Sequence, residues 1–177
     1  MKLVNKQPVI RQATLDDVPA IRAFHAASWL NTYPNDEAGV SKAWVREQWR
    51  DWDSSERLEE SRNYVRSFLA DPEQLYRIAS VDKRVVALLH ASRHTGKQEL
   101  RALYIDKDYQ GTGLAQQLFG LADAFWDPHQ PVELAVVDYN SRAKRFYEKQ
   151  GFKKIEGSEY RHADTMPSIR MVRETNK

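Results

Sequence analysis

Residues 99–126 read ELRALYIDKDYQGTGLAQQLFGLADAFW, and residues 132–152 read VELAVVDYNSRAKRFYEKQGF. The first stretch predicts a strand, a glycine turn and an amphipathic helix, and the second predicts a strand and a short helix that carries a tyrosine. Glycines between a strand and a helix leave backbone N–H groups free to face an anion, and the helix start adds partial positive charge. The order of these elements therefore predicts an anion-binding turn with Tyr147 facing the same cleft.

Length and composition predict one domain that spans residues 1–177, with no linker, repeat or low-complexity tract. Hydrophobic residues make up 41% and charged residues 29%, which is typical of a globular protein. No apolar run approaches the roughly 18 residues that a membrane span requires, and the amino-terminal residues lack a signal-like segment. The sequence contains no cysteine, which excludes disulfides and a cysteine nucleophile and fits a reducing compartment. We therefore expect a cytoplasmic protein that binds no membrane.

The formal net charge of +2 is unevenly distributed along the chain. Ten acidic and six basic residues lie between Asp36 and Gln74, whereas Arg142, Lys144 and Arg145 cluster in the second stretch. Solvated helix faces explain such a pattern. The alternative is a division of labour, with positive potential for a polyphosphate and negative potential for a cationic substrate.

Apolar periodicity predicts helices at residues 15–30, 38–52 and 55–70, in addition to the two helices of the quoted stretches. Thr14 and Asp17 resemble a capping box at the start of the first helix. The helix after the glycine turn is expected to bury Leu114, Leu118, Leu121 and Phe125. Strands are predicted at residues 8–12, 75–81, 85–92, 100–105, 132–137, 152–155 and 168–172.

The glycine turn does not match two common nucleotide-binding patterns. A dinucleotide-binding turn requires a third glycine and follows an early strand, whereas this turn lies late in the chain. The G-x-x-x-x-G-K-[ST] phosphate loop is absent.

Gln110-Gly111-Thr112-Gly113-Leu114-Ala115 instead matches the Q/R-x-x-G-x-G/A signature of the GNAT N-acetyltransferases, which bind acetyl-coenzyme A. A second set of residues matches that family's later N-x-x-A-x-x-F-Y-x-x-x-G-F pattern: Asn140, Ala143, Phe146, Tyr147, Gly151 and Phe152. Two motifs in the right order and spacing are far more specific than either alone. The chain therefore resembles a GNAT N-acetyltransferase.

This resemblance implies a mixed α/β fold with a central, largely antiparallel sheet of six or seven strands, flanked by helices. It implies that the strands at residues 100–105 and 132–137 are parallel and splay apart to admit the cofactor. It also implies transfer of an acetyl group from acetyl-coenzyme A to a primary amine by direct attack, with no covalent enzyme intermediate.

The same resemblance implies roles for individual residues on the cofactor side. The backbone of the glycine turn would hold the pyrophosphate, Thr112 would add a hydroxyl donor, and the preceding strand would contact the pantetheine arm. The cofactor-binding residues expected on this basis are Leu103, Tyr104, Ile105, Gln110, Gly111, Thr112, Gly113, Leu114, Ala115, Asn140, Ala143 and Tyr147.

Tyr147 is the expected general acid, because a phenol with a pKa near 10 can serve a departing thiolate without ionising at neutral pH. Glu99 is the general base that the resemblance suggests, although it equally fits a surface residue at a strand entry. Asp138 and His90 are weaker candidates for the base. His25 and His162 lack the spacing of metal ligands, so we expect no metal site.

The acceptor is a small-molecule amine on this interpretation, and no nucleic acid is expected because no dense basic stripe with interleaved aromatic residues is present. Trp29 and Tyr33, with residues 169–172, resemble the polyamine acetyltransferase branch, which would place Trp29 and Tyr33 at the substrate. Together with the acidic region between Asp36 and Gln74, they predict spermidine or spermine as acceptor.

Two alternatives stay open at this point. One is an amino-terminal acetyltransferase of the ribosomal-protein type, and the other is a catalytically silent coenzyme A-binding regulatory module. The sequence leaves a homodimer open as well.

Overall fold

A single mixed sheet forms the centre of the molecule, and helices cover both of its faces. The structure is a computed structural model and describes residues 6–94 and 96–175. The strands are β1 (Val9–Gln12), β2 (Gln74–Val81), β3 (Arg84–His94), β4 (Lys97–Ile105), β5 (Val132–Val137), β6 (Lys153–Lys154), β7 (Tyr160–His162) and β8 (Met166–Arg173). The helices are α1 (Val18–Thr32), α2 (Lys42–Gln48), α3 (Ser55–Ala70), α4 (Leu114–Phe125) and α5 (Ser141–Lys149).

The strand order is β1-β2-β3-β4-β5-β8-β6, and β7 pairs with β8 beside this path. Every neighbouring pair of described strands is antiparallel except β4 and β5, which are parallel. The predicted mixed α/β fold is thus confirmed, with eight strands rather than six or seven. The additional strand is β7, whose three residues are all exposed and therefore leave no apolar alternation in the sequence.

The parallel strands β4 and β5 separate soon after they meet, as expected. Pairing in the described residues covers Gln98–Leu100 against Val132–Leu134. A register shift in the β3–β4 ladder then leaves Arg101 without a partner in β3, which is a β-bulge. Beyond the bulge, β4 follows β3 and β5 follows β8, so a gap opens between the parallel strands.

The helix after the glycine turn buries a different face from the one the sequence predicts. Leu114, Leu118, Phe119 and Ala122 are buried in α4, whereas Leu121 is 40% exposed. The ring of Phe119 lies 6.0 Å from that of Trp126 and 6.2 Å from that of Phe152, measured between centroids. The large apolar surface of this ring turns the helix so that Phe119, rather than Leu121, faces the core.

The early helices agree with the prediction except for α2. The capping box is present, since the backbone N–H of Thr14 donates to Asp17 Oδ2 at 2.8 Å, and one 3₁₀ turn precedes α1. Helix α3 matches the predicted residues 55–70. Helix α2 is shorter than predicted, because Asn35 and Val40 exchange two backbone hydrogen bonds in a tight turn and Ser41 then caps the helix.

Candidate active site

The gap between β4 and β5 opens into a cleft of about 730 Å³. It is bounded by α1, β4, the glycine turn, β5, α5 and the segment from β7 to β8. The cleft therefore joins both quoted stretches with elements far from them in sequence, and it places the glycine turn at one end.

Gly111 and Gly113 shape the turn by adopting left-handed backbone conformations, with φ of +78° and +87°. Gly113 is the N-cap of α4, and its carbonyl accepts from the N–H of Gln117 at 3.1 Å. The first N–H groups of any α-helix lack partners within the helix, so those after Gly113 remain available to a ligand. A Cβ on either glycine would meet no atom within 4 Å, which shows that the space in front of the turn is open. An open cradle of N–H groups fits a pyrophosphate.

Basic side chains from α5 surround this end of the cleft. Arg142 donates to Gln110 Oε1, and Gln110 Nε2 in turn donates to the Ile105 carbonyl at 3.2 Å. Arg145 and Lys149 also line the cleft. The expected positive potential near the turn is therefore present.

Thr112 and Lys144 have other roles than the sequence suggests, whereas Leu114 is buried as expected. The Thr112 hydroxyl donates to the Tyr109 carbonyl at 2.7 Å, so it braces the turn. The Leu114 side chain is buried in the core, which leaves its backbone to face a ligand. Lys144 forms an ion pair with Asp138 at 2.8 Å. The other expected cofactor residues line the cleft: Leu103, Tyr104, Ile105, Gln110, Gly111, Gly113, Ala115, Asn140, Ala143 and Tyr147.

Tyr147 reaches the cleft from α5, whose start is fixed because Asn140 Oδ1 accepts from the Ala143 N–H at 3.1 Å. The Tyr147 side chain is 8% exposed and its ring contacts those of Phe146 and Phe152. Its hydroxyl forms no hydrogen bond to another residue of the described chain. Burial, with a smaller contribution from Tyr104, raises the pKa of the Tyr147 phenol, so the hydroxyl stays protonated at neutral pH.

One face of α1 forms the wall opposite α5. His25, Ser28, Trp29 and Thr32 are spaced i, i+3, i+4 and i+7, which places them on one side of a helix, and all four line the cleft with Tyr33. The expected residues Trp29 and Tyr33 are thus in the cleft. His25, Ser28 and Thr32 were missed, although their helical spacing from Trp29 is a signal that the sequence contains.

A hydrogen-bonded tyrosine pair joins this wall to β4. The hydroxyls of Tyr33 and Tyr104 lie 3.0 Å apart, and Tyr139 donates to the Tyr33 carbonyl at 2.6 Å. Burial raises the pKa of both Tyr33 and Tyr104, so neither phenol ionises near neutral pH. The pair ties α1 to the strand that borders the gap.

His25 lies behind this pair, with its ring centroid 4.6 Å from that of Tyr104 and 4.8 Å from that of Trp49. Its Nε2 atom is buried without a hydrogen-bond partner among the described residues. Burial, followed by the charge of Arg22, lowers the pKa of His25 to about 4, so the ring is neutral at physiological pH. His162 of β7 lines the cleft from the other side, and its ring is 6.1 Å from that of Trp29.

The three candidate bases lie elsewhere. Glu99 is not among the residues that line the cleft and pairs with Lys97 at 2.8 Å, at the point where β4 and β5 are still joined. His90 Nε2 is 2.8 Å from Gln74 Oε1 and its ring packs against Phe68 of α3; burial, followed by the charge of Arg101, lowers its pKa to about 4. Asp138 is held by Lys144.

The acidic region between Asp36 and Gln74 does not face the cleft. None of its carboxylates lines the cleft, and in fact no Asp or Glu of the described residues does. Within α3, Glu60 and Glu59 pair with Arg57 and Arg62 on the exposed surface. The charge pattern of these helices is therefore a solvated surface, and the acidic region does not support a polycationic acceptor.

Comparison with known proteins identifies the family. A family model described as an acetyltransferase (GNAT) domain matches residues 39–174. The chain therefore belongs to the GNAT acetyltransferases, and it is an acetyl-coenzyme A-dependent N-acetyltransferase. No curated protein sequence matches the chain.

Solved structures share the fold at low sequence identity. PaiA N-acetyltransferase from Thermoplasma acidophilum, determined in complex with coenzyme A, has a TM-score of 0.73 and 21% identity, over 96% of this chain and 99% of that one. A GNAT-family acetyltransferase from Streptococcus pneumoniae has a TM-score of 0.70 and 15% identity, over 96% and 100%. The ribosomal-protein-S18-alanine N-acetyltransferase from Escherichia coli has a TM-score of 0.60 and 18% identity, over 97% of each chain.

Two other kinds of feature are absent from the described residues. No helix there is both long and apolar enough to cross a membrane. No group of three or more His, Asp or Glu side chains there is placed to hold a metal ion.

Proposed function

We propose that this enzyme transfers the acetyl group to a primary amine by direct attack, in the cleft between β4 and β5, with Tyr147 as general acid. The observation that carries the proposal is the arrangement of three elements in one cleft: the separated parallel strands, the open glycine turn and the buried Tyr147. This arrangement supplies a site for an extended donor and a protonated group beside it.

The residues present fit acetyl-coenzyme A, which supplies the acetyl group as a thioester. The N–H groups after Gly113 would hold the pyrophosphate, with Arg142, Arg145 and Lys149 nearby to balance its charge. The edges of β4 and β5 beyond Leu100 and Leu134 carry backbone groups that no longer pair with each other and are free to bond the pantetheine amides.

Tyr147 would hold its proton at Oη and direct it toward the departing sulfur. Its raised pKa has two consequences. The phenol stays a hydrogen-bond donor at any physiological pH, but complete proton transfer to a thiolate of pKa near 8.5 becomes less favourable. We therefore expect stabilisation of the sulfur by the hydrogen bond to matter more than full transfer of the proton.

The acceptor must arrive as an uncharged amine, because an ammonium group has no lone pair. No carboxylate lines the cleft to accept its proton, but Arg101, Arg142, Arg145 and Lys149 make the cleft cationic. Nearby positive charge disfavours a second cation and so lowers the pKa of a bound ammonium. Activity should therefore rise with pH until another group titrates.

A screen that measures release of free thiol from acetyl-coenzyme A tests the proposal. The acceptors to compare are monoamines, amino acids, polyamines and peptides with free amino termini. Turnover with at least one amine supports the transferase, and spermidine in the same screen tests the polyamine expectation. Tight coenzyme A binding without transfer to any of these acceptors would favour the silent regulatory module instead.

A further inference from the structure

Arg101 is a cation in the cleft that the proposed coenzyme A contacts do not use. It is the bulged residue of β4, directly after the last position at which β4 and β5 pair. Arg142 lies at the other end of the cleft, where it donates to Gln110 beside the glycine turn. The Arg101 side chain is exposed and lines the cleft. Among the described residues it has neither an ion pair nor a hydrogen bond, in contrast to Arg142, which is held by Gln110.

Several other residues that line the cleft are aromatic. Trp29, Tyr33, Tyr104 and His162 all line it, and the ring centroids of Trp29 and Tyr33 are 5.0 Å apart. Rings in such perpendicular contact present a ring face and a ring edge, and a further ring can pack against either. An exposed guanidinium and an aromatic wall, with no carboxylate in the lining, are complementary to a molecule that carries a negative charge and an apolar body.

We propose that the acceptor is an amine that carries a carboxylate and an aromatic or other large apolar body, as in a free aromatic amino acid. Arg101 binds the carboxylate, and the wall around Trp29 binds the body. This inference rests on the proposed transfer to a primary amine and specifies its substrate class.

The chemistry favours this class over a polyamine. A guanidinium presents two parallel N–H groups to a carboxylate, which fixes its orientation as well as its charge. The same guanidinium repels a polycation, and the cleft lining offers no carboxylate to compensate. In the transfer, the amine nitrogen forms the bond to the acetyl carbon as the C–S bond breaks. One amine proton passes to solvent, the thiolate takes one proton from Tyr147 or from solvent, and Tyr147 is reprotonated from solvent if it has donated. The products are an N-acetylated amino acid and coenzyme A as a free thiol.

The test compares acceptors that differ by the carboxylate alone. L-phenylalanine is paired with phenethylamine, L-tryptophan is paired with tryptamine, and spermidine and a peptide with a free amino terminus are included. We expect the amino acids to have kcat/KM values at least tenfold above those of the decarboxylated amines, because a charged hydrogen bond contributes about 1.5–3 kcal/mol and 1.4 kcal/mol is tenfold. Arg101→Gln should abolish this preference, and Arg101→Lys should retain part of it.

Binding supplies a readout that does not depend on turnover. Calorimetric titration of L-phenylalanine into the coenzyme A-saturated protein should show binding that Arg101→Gln weakens at least tenfold, with the affinity for coenzyme A unchanged. Arg161→Gln, on exposed β7 and outside the cleft lining, is the matched control and should change neither value.

Several results would overturn the inference. The inference is wrong if phenethylamine, spermidine or the peptide is acetylated as fast as the amino acids or faster. It is also wrong if the preference for amino acids is unchanged in Arg101→Gln. Amino acid binding that requires Arg101, in a protein that acetylates none of the acceptors, would support Arg101 as a carboxylate site and contradict the proposed transfer alone.

Discussion

Tyr147 and the buried histidines are held in defined protonation states by their surroundings. Burial keeps the Tyr147 phenol protonated and keeps His25 and His90 neutral, so the interior carries these polar groups without a buried charge. Two predictions follow from these individual side chains.

Tyr147→Phe should lower turnover by about 10²–10⁴, because it removes a positioned acid while the ring keeps its contacts with Phe146 and Phe152. Coenzyme A affinity, measured by calorimetry, should change little. Tyr64→Phe on α3 is the control, since Tyr64 is 56% exposed and lies outside the cleft lining. If the Tyr147→Phe enzyme is as active as the parent, Tyr147 has only a packing role.

Stability should fall as the pH is lowered from about 6.5 to about 4, and His90 should contribute to the loss. The folded protein lowers the pKa of His90 to about 4, whereas the unfolded chain has the ordinary value near 6.5. The unfolded state therefore binds the proton first, and the contribution is complete above pH 6.5 and lost below it. The expected size is on the order of 3 kcal/mol between pH 7 and pH 4.

Urea unfolding of the parent and of His90→Asn at several pH values measures this contribution. The variant is less stable at pH 7, because the ring packs between Phe68 and Tyr76, and its stability should depend less steeply on pH. The same pH slope in both proteins would assign the acid sensitivity to other groups.

The segment from β4 to α4 owes its binding geometry to backbone conformation. The bulge at Arg101 ends the pairing with β5, and the left-handed glycines then turn the chain so that α4 begins at the mouth of the cleft. These backbone angles, and not side chains, would present the N–H groups to the proposed pyrophosphate.

Gly113→Val should therefore weaken coenzyme A binding strongly. A β-branched residue is a rare outlier at a φ of +87°, so the turn must change its conformation or carry about 1–3 kcal/mol of strain. Calorimetry measures the affinity, and circular dichroism shows whether the fold is intact. Gly113→Ala is the milder variant in case valine prevents folding.

Gly120→Ala is the control for this experiment. Gly120 lies inside α4, and a Cβ there would meet no atom within 4 Å, so alanine should stabilise the helix by about 0.5–1 kcal/mol and leave binding unchanged. Unchanged coenzyme A affinity in Gly113→Val would remove the turn from the binding site.

The two signs of charge lie on different parts of the protein. Cations line the cleft, whereas the acidic residues of α3 pair with arginines on its exposed surface. Because exposed charges are screened over a Debye length of about 10 Å at 0.1 M salt, the surface carboxylates should have little effect inside the cleft.

Arg145→Gln should lower the affinity for coenzyme A severalfold and flatten its dependence on salt, because one cation of the cleft is lost. Glu60→Gln on α3 should leave both the affinity and the acceptor KM unchanged. Isothermal titration and initial rates are compared between about 0.05 and 0.5 M salt. Over this range the Debye length falls from about 14 Å to about 4 Å. A higher KM for spermidine in Glu60→Gln than in the parent would show that the acidic region takes part in acceptor binding.

Most of the sheet and the cofactor end of the cleft could be predicted from the sequence, because they depend on local signals. The glycines, Asn140 and Tyr147 lie within two short stretches, and their spacing along one strand and one helix places them together. The strands β2 to β5 follow from apolar runs bounded by turns. By contrast, β7 has three exposed residues and gives no such signal.

The acceptor side could not be predicted in the same way. Glu99 was proposed as the base because the family resemblance suggests a glutamate near this strand, but the strand holds it where β4 and β5 are still paired. The acidic count between Asp36 and Gln74 could not show which way α3 faces, and the apolar positions of α4 could not show that Phe119 would displace Leu121 from the core.

The sequence alone determined the family, the order of the elements and the position of the glycine turn, since each is encoded by residues within about one strand and one helix of each other. Tertiary structure decided which side chains share the cleft. Packing of α1 against β3 and β4 brings His25, Trp29 and Tyr33 into the cleft lining, and the bulge in the β3–β4 ladder leaves Arg101 in the lining of the same cleft. Those contacts join residues far apart in the chain, and the apolar surface that drives them is non-directional, so its pattern in the sequence does not specify which faces meet.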